Sequence, residues 1–219
     1  MNTDELIDML ASNLKPVRRL WSPIWRLLGW LALSFPATTI VVAAMRIRPD
    51  IAVKITDPVF LMQELASLAV ALIAGWAALV TCVPGEPRWK LWVPIAPLSL
   101  WMSTLGRQSW NEWVRLGVSG MEFHSDWVCL PSIAMISVVP ALAMVFAIRR
   151  GARLRPLSAV LCGSLAAASL ANAGLRLFHM EDAALMVIVW QFGSVLLFMA
   201  IATLCRTILV PAQTVHRSR

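Results

Sequence analysis

Residues 133–175 read IAMISVVPALAMVFAIRRGARLRPLSAVLCGSLAAASLANAGL, two apolar runs divided by a seven-residue break, Arg149 to Arg155, that carries four arginines. Each run is long enough to cross the roughly 30 Å of hydrocarbon in a bilayer as a helix. A connection this short and this basic obeys the positive-inside rule with force, so it sits on the cytoplasmic side and fixes the middle of the chain.

Working outward, the same alternation continues. Further apolar runs bring the candidate spans to about 24–45, 59–83, 91–106, 130–148, 156–178 and 184–208. The balance of the 219 residues agrees, with 59% hydrophobic and 14% charged and a mean hydropathy of +0.72. A soluble domain of this size could not cover its surface with so few polar groups. The expected fold is all-α, a polytopic bundle of six transmembrane helices with a short cytoplasmic N-terminal amphipathic helix. Residues 21–210 form one membrane domain and 211–219 a cytoplasmic tail. The third span is the shortest, with Pro94 and Pro97 near its start. The fifth is dense in small residues, from Gly163 through Ala166, Ala167, Ala168 and Ala171 to Gly174, which predicts close packing at the centre of the bundle. Trp21, Trp25, Trp30, Trp89, Trp92, Trp110, Trp113 and Trp127 gather near span ends, where indole rings favour the headgroup level.

The net charge of +7 would point to nucleic acid in a soluble protein, but its placement follows topology instead. With both termini cytoplasmic, 13 of the 19 basic residues fall on the inner side. The acidic residues Asp4, Glu5 and Asp8 stand where a secretory signal would be basic, so the N-terminus is expected to be retained.

Residues 3–15 read as a helix capped by Thr3, with Asp4 and Glu5 in its first turn and Pro16 closing it. Leu6, Leu10 and Leu14, joined by Ile7 and Met9, make an apolar stripe. So short a helix is marginal alone, and the stripe needs a partner: lipid, the membrane domain, or another protein.

Little in the chain points to chemistry. There is no HExxH, GxSxG, Walker A or GxGxxG pattern, and no catalytic constellation, metal set or cofactor is expected. Arg26 and Glu64 lie near span ends and are expected to snorkel to the interface, and Arg176 is expected to form an edge cluster with Glu181 and Asp182. His124 and His179 fall on the outer side without companion ligands and read as interfacial residues. Cys82, Cys162 and Cys205 read as structural, whereas Cys129 sits at the outer boundary of the fourth span, facing a compartment in which thiols oxidise. Six spans also suit a small transporter or channel, although few charges at span depth are available to coordinate a substrate. A quinone- or haem-linked enzyme rests on the two histidines alone.

Several segments together resemble the negative regulator of sigma F (NrsF) family, six-span membrane anti-sigma factors that hold an extracytoplasmic-function (ECF) sigma factor at the bacterial inner membrane. Its carriers are Thr3-Asp4-Glu5-Leu6-Ile7, Pro16-Val17-Arg18-Arg19-Leu20, Arg149-Arg150-Gly151-Ala152 with Leu154-Arg155-Pro156, and Phe178-His179 followed by Glu181-Asp182. The resemblance implies that residues 1–20 bind the sigma factor, with Asp4, Glu5, Leu6, Ile7, Leu10, Leu14, Val17, Arg18 and Arg19 as contacts, and that the protein is neither an enzyme nor a direct binder of nucleic acid. It also implies sensing of oxidant or metal through two outer-side cysteines. Cys129 matches the first. Met180, after His179, stands where the second is expected, so a disulfide between the two positions is impossible here. A weaker possibility is that Met180 offers a sulfoxide or a soft thioether beside Cys129 and His179.

Overall fold

The computed structural model describes residues 2–12, 20–117, 129–152, 154–180 and 186–210, with the side chains of Leu10, Cys129 and Gln191 left aside. The main helices are α1 (Thr3–Ser12), α2 (Pro23–Met45), the single turn α3 (Ile51–Lys54), α4 (Pro58–Val80) and α5 (Ile95–Leu116). They continue with α6 (Cys129–Arg149), α7 (Pro156–Arg176), α8 (Gly193–Leu204) and the short α9 (Arg206–Leu209). Among the described residues there is no strand. Pro23, Pro58 and Pro156 each open a helix, where the missing amide hydrogen costs nothing and the fixed φ is already helical. Asp57 completes the start of α4 by accepting from the Val59 amide at 2.9 Å.

Among the described residues five helical segments are long and apolar enough to cross a membrane: Pro23–Met45, Pro58–Val80, Leu130–Arg149, Pro156–Arg176 and Val187–Leu204. The expectation of six is corrected at the third candidate. The run expected over 91–106 enters through a 3-10 turn at Arg88–Leu91, and the helix then extends to Leu116, taking in Arg107, Gln108, Asn111, Glu112 and Arg115. That polar second half keeps α5 from counting clearly as a span. The last candidate, expected as one helix over 184–208, opens with a π-helical turn at Val187–Phe192 before α8 and α9. Thr3 is not the cap of α1. Asn2 stands there, its amide donating to the Glu5 carboxylate at 3.1 Å and its side chain accepting from the Thr3 amide at 2.7 Å.

Helix α7 occupies the centre, packed against α4, α6 and α8 and touching α2. Its small residues make this possible, as the sequence predicts. A side chain at Gly163 would begin 2.9 Å from Met144 and 3.1 Å from Ile148, and one at Gly174 would begin 2.7 Å from Thr38. Helix α2 is fixed to α6 by the Trp30 indole, which donates to the Pro140 carbonyl at 2.8 Å.

One end of the bundle is basic. There Arg26, half-buried, donates to the carbonyls of Leu79 (3.4 Å) and Ala147, binding a cation to the C-terminal turns of α4 and α6. Arg149 holds the carbonyls of Ile208 and Leu209 at 2.6 and 2.5 Å. The turn after α6 lies so close to α4 that a Gly151 side chain would begin 2.4 Å from the Cys82 Cβ.

Overpacking is therefore expected to be costly at the centre. Gly163→Leu should destabilise the protein by about 1–3 kcal/mol, whereas Gly106→Leu, at a position with open space around it, should leave the thermal unfolding midpoint in detergent unchanged.

Candidate functional site

The first candidate surface is α1. Leu6, Ile7 and Met9 are exposed, Ile7 by 56%, and share the helix with exposed Asp4, Glu5 and Asp8. Leu10 continues the helix, while Leu14, Val17, Arg18 and Arg19 lie outside the described residues. Apolar and carboxylate side chains are thus exposed side by side on one short helix.

The second lies at the end of the bundle opposite the basic one. Arg48, almost fully buried, grips Asp50 with two hydrogen bonds of 2.6 and 2.8 Å and donates to the His179 carbonyl at 3.2 Å. Its own amide donates to the Leu177 carbonyl at 3.0 Å. One arginine thus ties the turn after α2 to the C-terminus of α7, where the orphan carbonyls favour a cation. The hydrogen bond from Arg48 also holds the Asp50 carboxyl below its usual pKa. Met180 is exposed beside this clamp. Cys129 begins α6, the antiparallel neighbour of α7, so it falls at the same end as His179 and Met180. His124, Glu181 and Asp182 lie outside the described residues.

Beneath the clamp is a polar chain. Arg176, 3% exposed, donates to the Gln63 side chain at 2.7 Å, faces Glu64 at 3.5 Å and lies 4.7 Å from the centre of the Phe60 ring. Gln63 donates to Gln108 at 2.8 Å, and Gln108 to Glu112 at 2.8 Å. Three helices are joined by this chain: α7 through Arg176, α4 through Gln63 and Glu64, and α5 through Gln108 and Glu112. The expectation for Glu64 is corrected, since it is buried against Arg176, while the edge cluster expected of Arg176 with Glu181 and Asp182 lies outside the described residues. A charge at this depth is stable only with its counter-charge, so each residue holds the other in place. The signal was present in the sequence as spacing. Phe60, Gln63, Glu64 and Ser67 share one face of α4, and Ser169, Asn172 and Arg176 share one face of α7.

Among the described residues no three His, Cys, Asp or Glu side chains come together as a metal site. What the geometry offers is an exposed helical face on α1 and, at the end of the bundle opposite the basic one, a clamped, internally wired cap. The family described as negative regulator of sigma F (NrsF) matches residues 10–210. The chain belongs to this family. No curated protein and no solved structure matches it. The family's description is of a regulator, which makes the protein a negative regulator of sigma F by membership and associates it with a sigma factor.

The ion pair yields a direct test. Arg176→Met, which leaves the Glu64 charge without its partner, should lower stability by roughly 3–5 kcal/mol, and adding Glu64→Leu should restore most of the loss. Equilibrium unfolding in mixed micelles measures both.

Proposed function

We propose that this protein is a membrane-anchored anti-sigma factor that works by sequestration, without catalysis. Residues 1–20 bind an ECF-type sigma factor on the cytoplasmic face of a bacterial inner membrane, and the remainder of the chain anchors that segment. The observation that carries the reading is the exposure of Leu6 and Ile7 on α1, in a chain that belongs to a family of sigma-factor regulators. The acidic residues on α1 favour a protein partner over an anionic lipid surface, which selects basic faces. Both termini are read as cytoplasmic because the basic end of the bundle gathers Arg88, Lys90, Arg149, Arg150, Arg155 and Arg206.

A release step at the opposite end fits the same reading. Cys129, His179 and Met180 share that end, and the Arg48 clamp and the Arg176 chain lead from it into α2, α4, α5 and α7. In this proposal an oxidant or metal acts on the Cys129 thiol, and the exposed thioether of Met180 offers a second soft group in the position of the family's other cysteine.

Capture is expected to vanish when residues 1–20 are deleted, and Leu6→Asp combined with Ile7→Asp should weaken it by at least about tenfold. Co-purification of the sigma factor with the membrane-extracted protein measures both, and undiminished capture would refute the assignment. Cys129→Ser should abolish the rise in sigma-dependent transcription under oxidant or metal stress while leaving basal repression intact. An unchanged response would remove the thiol from the mechanism.

A further inference from the structure

At the basic end, a groove of about 570 Å³ runs between α2 and α6. Its apolar stretch is formed by Gly29, Leu33, Ala143 and Phe146, and its mouth by Arg26 and Arg150 with Trp21 and Trp25. Gly29 gives the groove its depth, since nothing lies within 4 Å of where a side chain would begin. Among the described residues no acidic side chain lines it.

Both arginines line the groove. A side chain at Gly151, the residue after Arg150, would begin 3.3 Å from the Arg26 Nη2 atom, which brings Arg26 to the turn that follows Arg150. Arg26 is positioned by the carbonyls of Leu79 and Ala147, and Arg150 by the face of Phe146, 4.2 Å from the ring centre. These contacts orient the two cations without neutralising them, and no described carboxylate pairs with either. Trp21 and Trp25, 73% and 63% exposed, mark this as headgroup depth.

We propose that the groove is a binding site for an anionic phospholipid. One acyl chain lies along Gly29, Leu33 and Ala143, and the phosphodiester sits between Arg26 and Arg150. A cationic mouth above an apolar slot matches the two halves of such a lipid. A basic pocket between spanning helices is the arrangement that holds lipid headgroups. A zwitterionic lipid fills the slot equally well but brings its own cation to the mouth.

The full-length protein, purified in detergent without a sigma factor, is mixed with phosphatidylglycerol, phosphatidylcholine or inorganic phosphate. Retained lipid is then counted by native mass spectrometry. Phosphatidylglycerol should be retained in preference to phosphatidylcholine, and inorganic phosphate should not displace it. Arg150→Gln should reduce the preference about fivefold, and Gly29→Leu, which fills the slot, should reduce retention of both lipids. Arg26 is left intact because it holds two helix ends, and the thermal midpoint of each variant confirms that it is folded. Equal retention of the two lipids, displacement by phosphate, or retention unaffected by either substitution would overturn the site. Sigma-factor capture plays no part in the readout, so the result stands apart from the sequestration reading.

Discussion

The ion pair between Arg176 and Glu64 sets the terms for the helices around it. Neither group tolerates the interior alone, and their attraction is expressed only if α4 and α7 meet in one register. That register in turn depends on small residues. Ala166 and Ala168 pack in one core with Ala71, Ala74 and Ala78 of α4, and at the end of α7 the long Arg176 side chain is enclosed by Phe60 and Gln63. Through Gln63 and Gln108 the same register reaches α5, which packs on α4 and is the least apolar of the long helices. That helix is held by the fully buried Trp101 and Leu105 of its apolar half and, in its polar half, by Gln108 as part of the chain.

The two ends of the bundle use arginine differently. At the basic end Arg26 and Arg149 satisfy helix C-terminal carbonyls, which pull on a cation without cancelling it. At the other end Arg48 and Arg176 each meet a carboxylate. For these four arginines the charge is left uncancelled at one pole and met by a carboxylate at the other, a difference that a count of lysines and arginines does not convey.

The helices from Pro23, Pro58 and Pro156 and the central place of α7 were legible in the sequence, because proline positions, apolar runs and small-residue density are local signals. The pairing of Glu64 with Arg176 was not, although spacing alone puts each on a polar helix face. Whether a charged residue near a span end turns inward is decided by what stands opposite it on another helix, and its own neighbours in sequence do not carry that information. Helix α5 misled for a related reason. Its first half is apolar enough to suggest a span, while the reason for its polar second half, Gln108 meeting Gln63, lies some forty-five residues away. The exposed face of α1 was visible as a stripe, although its cap was misread by one residue, since Asn2 reaches the first free amide and Thr3 is already helical.

Arg26 stands three residues inside α2 and anchors that helix to the ends of α4 and α6. The chain leading back to α1 therefore departs from a fixed post. From Pro23 to Ser12 there are eleven residue steps, which even fully drawn out span at most about 40 Å. Whatever path that stretch takes, the two ends it joins lie no farther apart than that, so any contact that α1 makes falls within a short radius of the point where Pro23 enters the bundle.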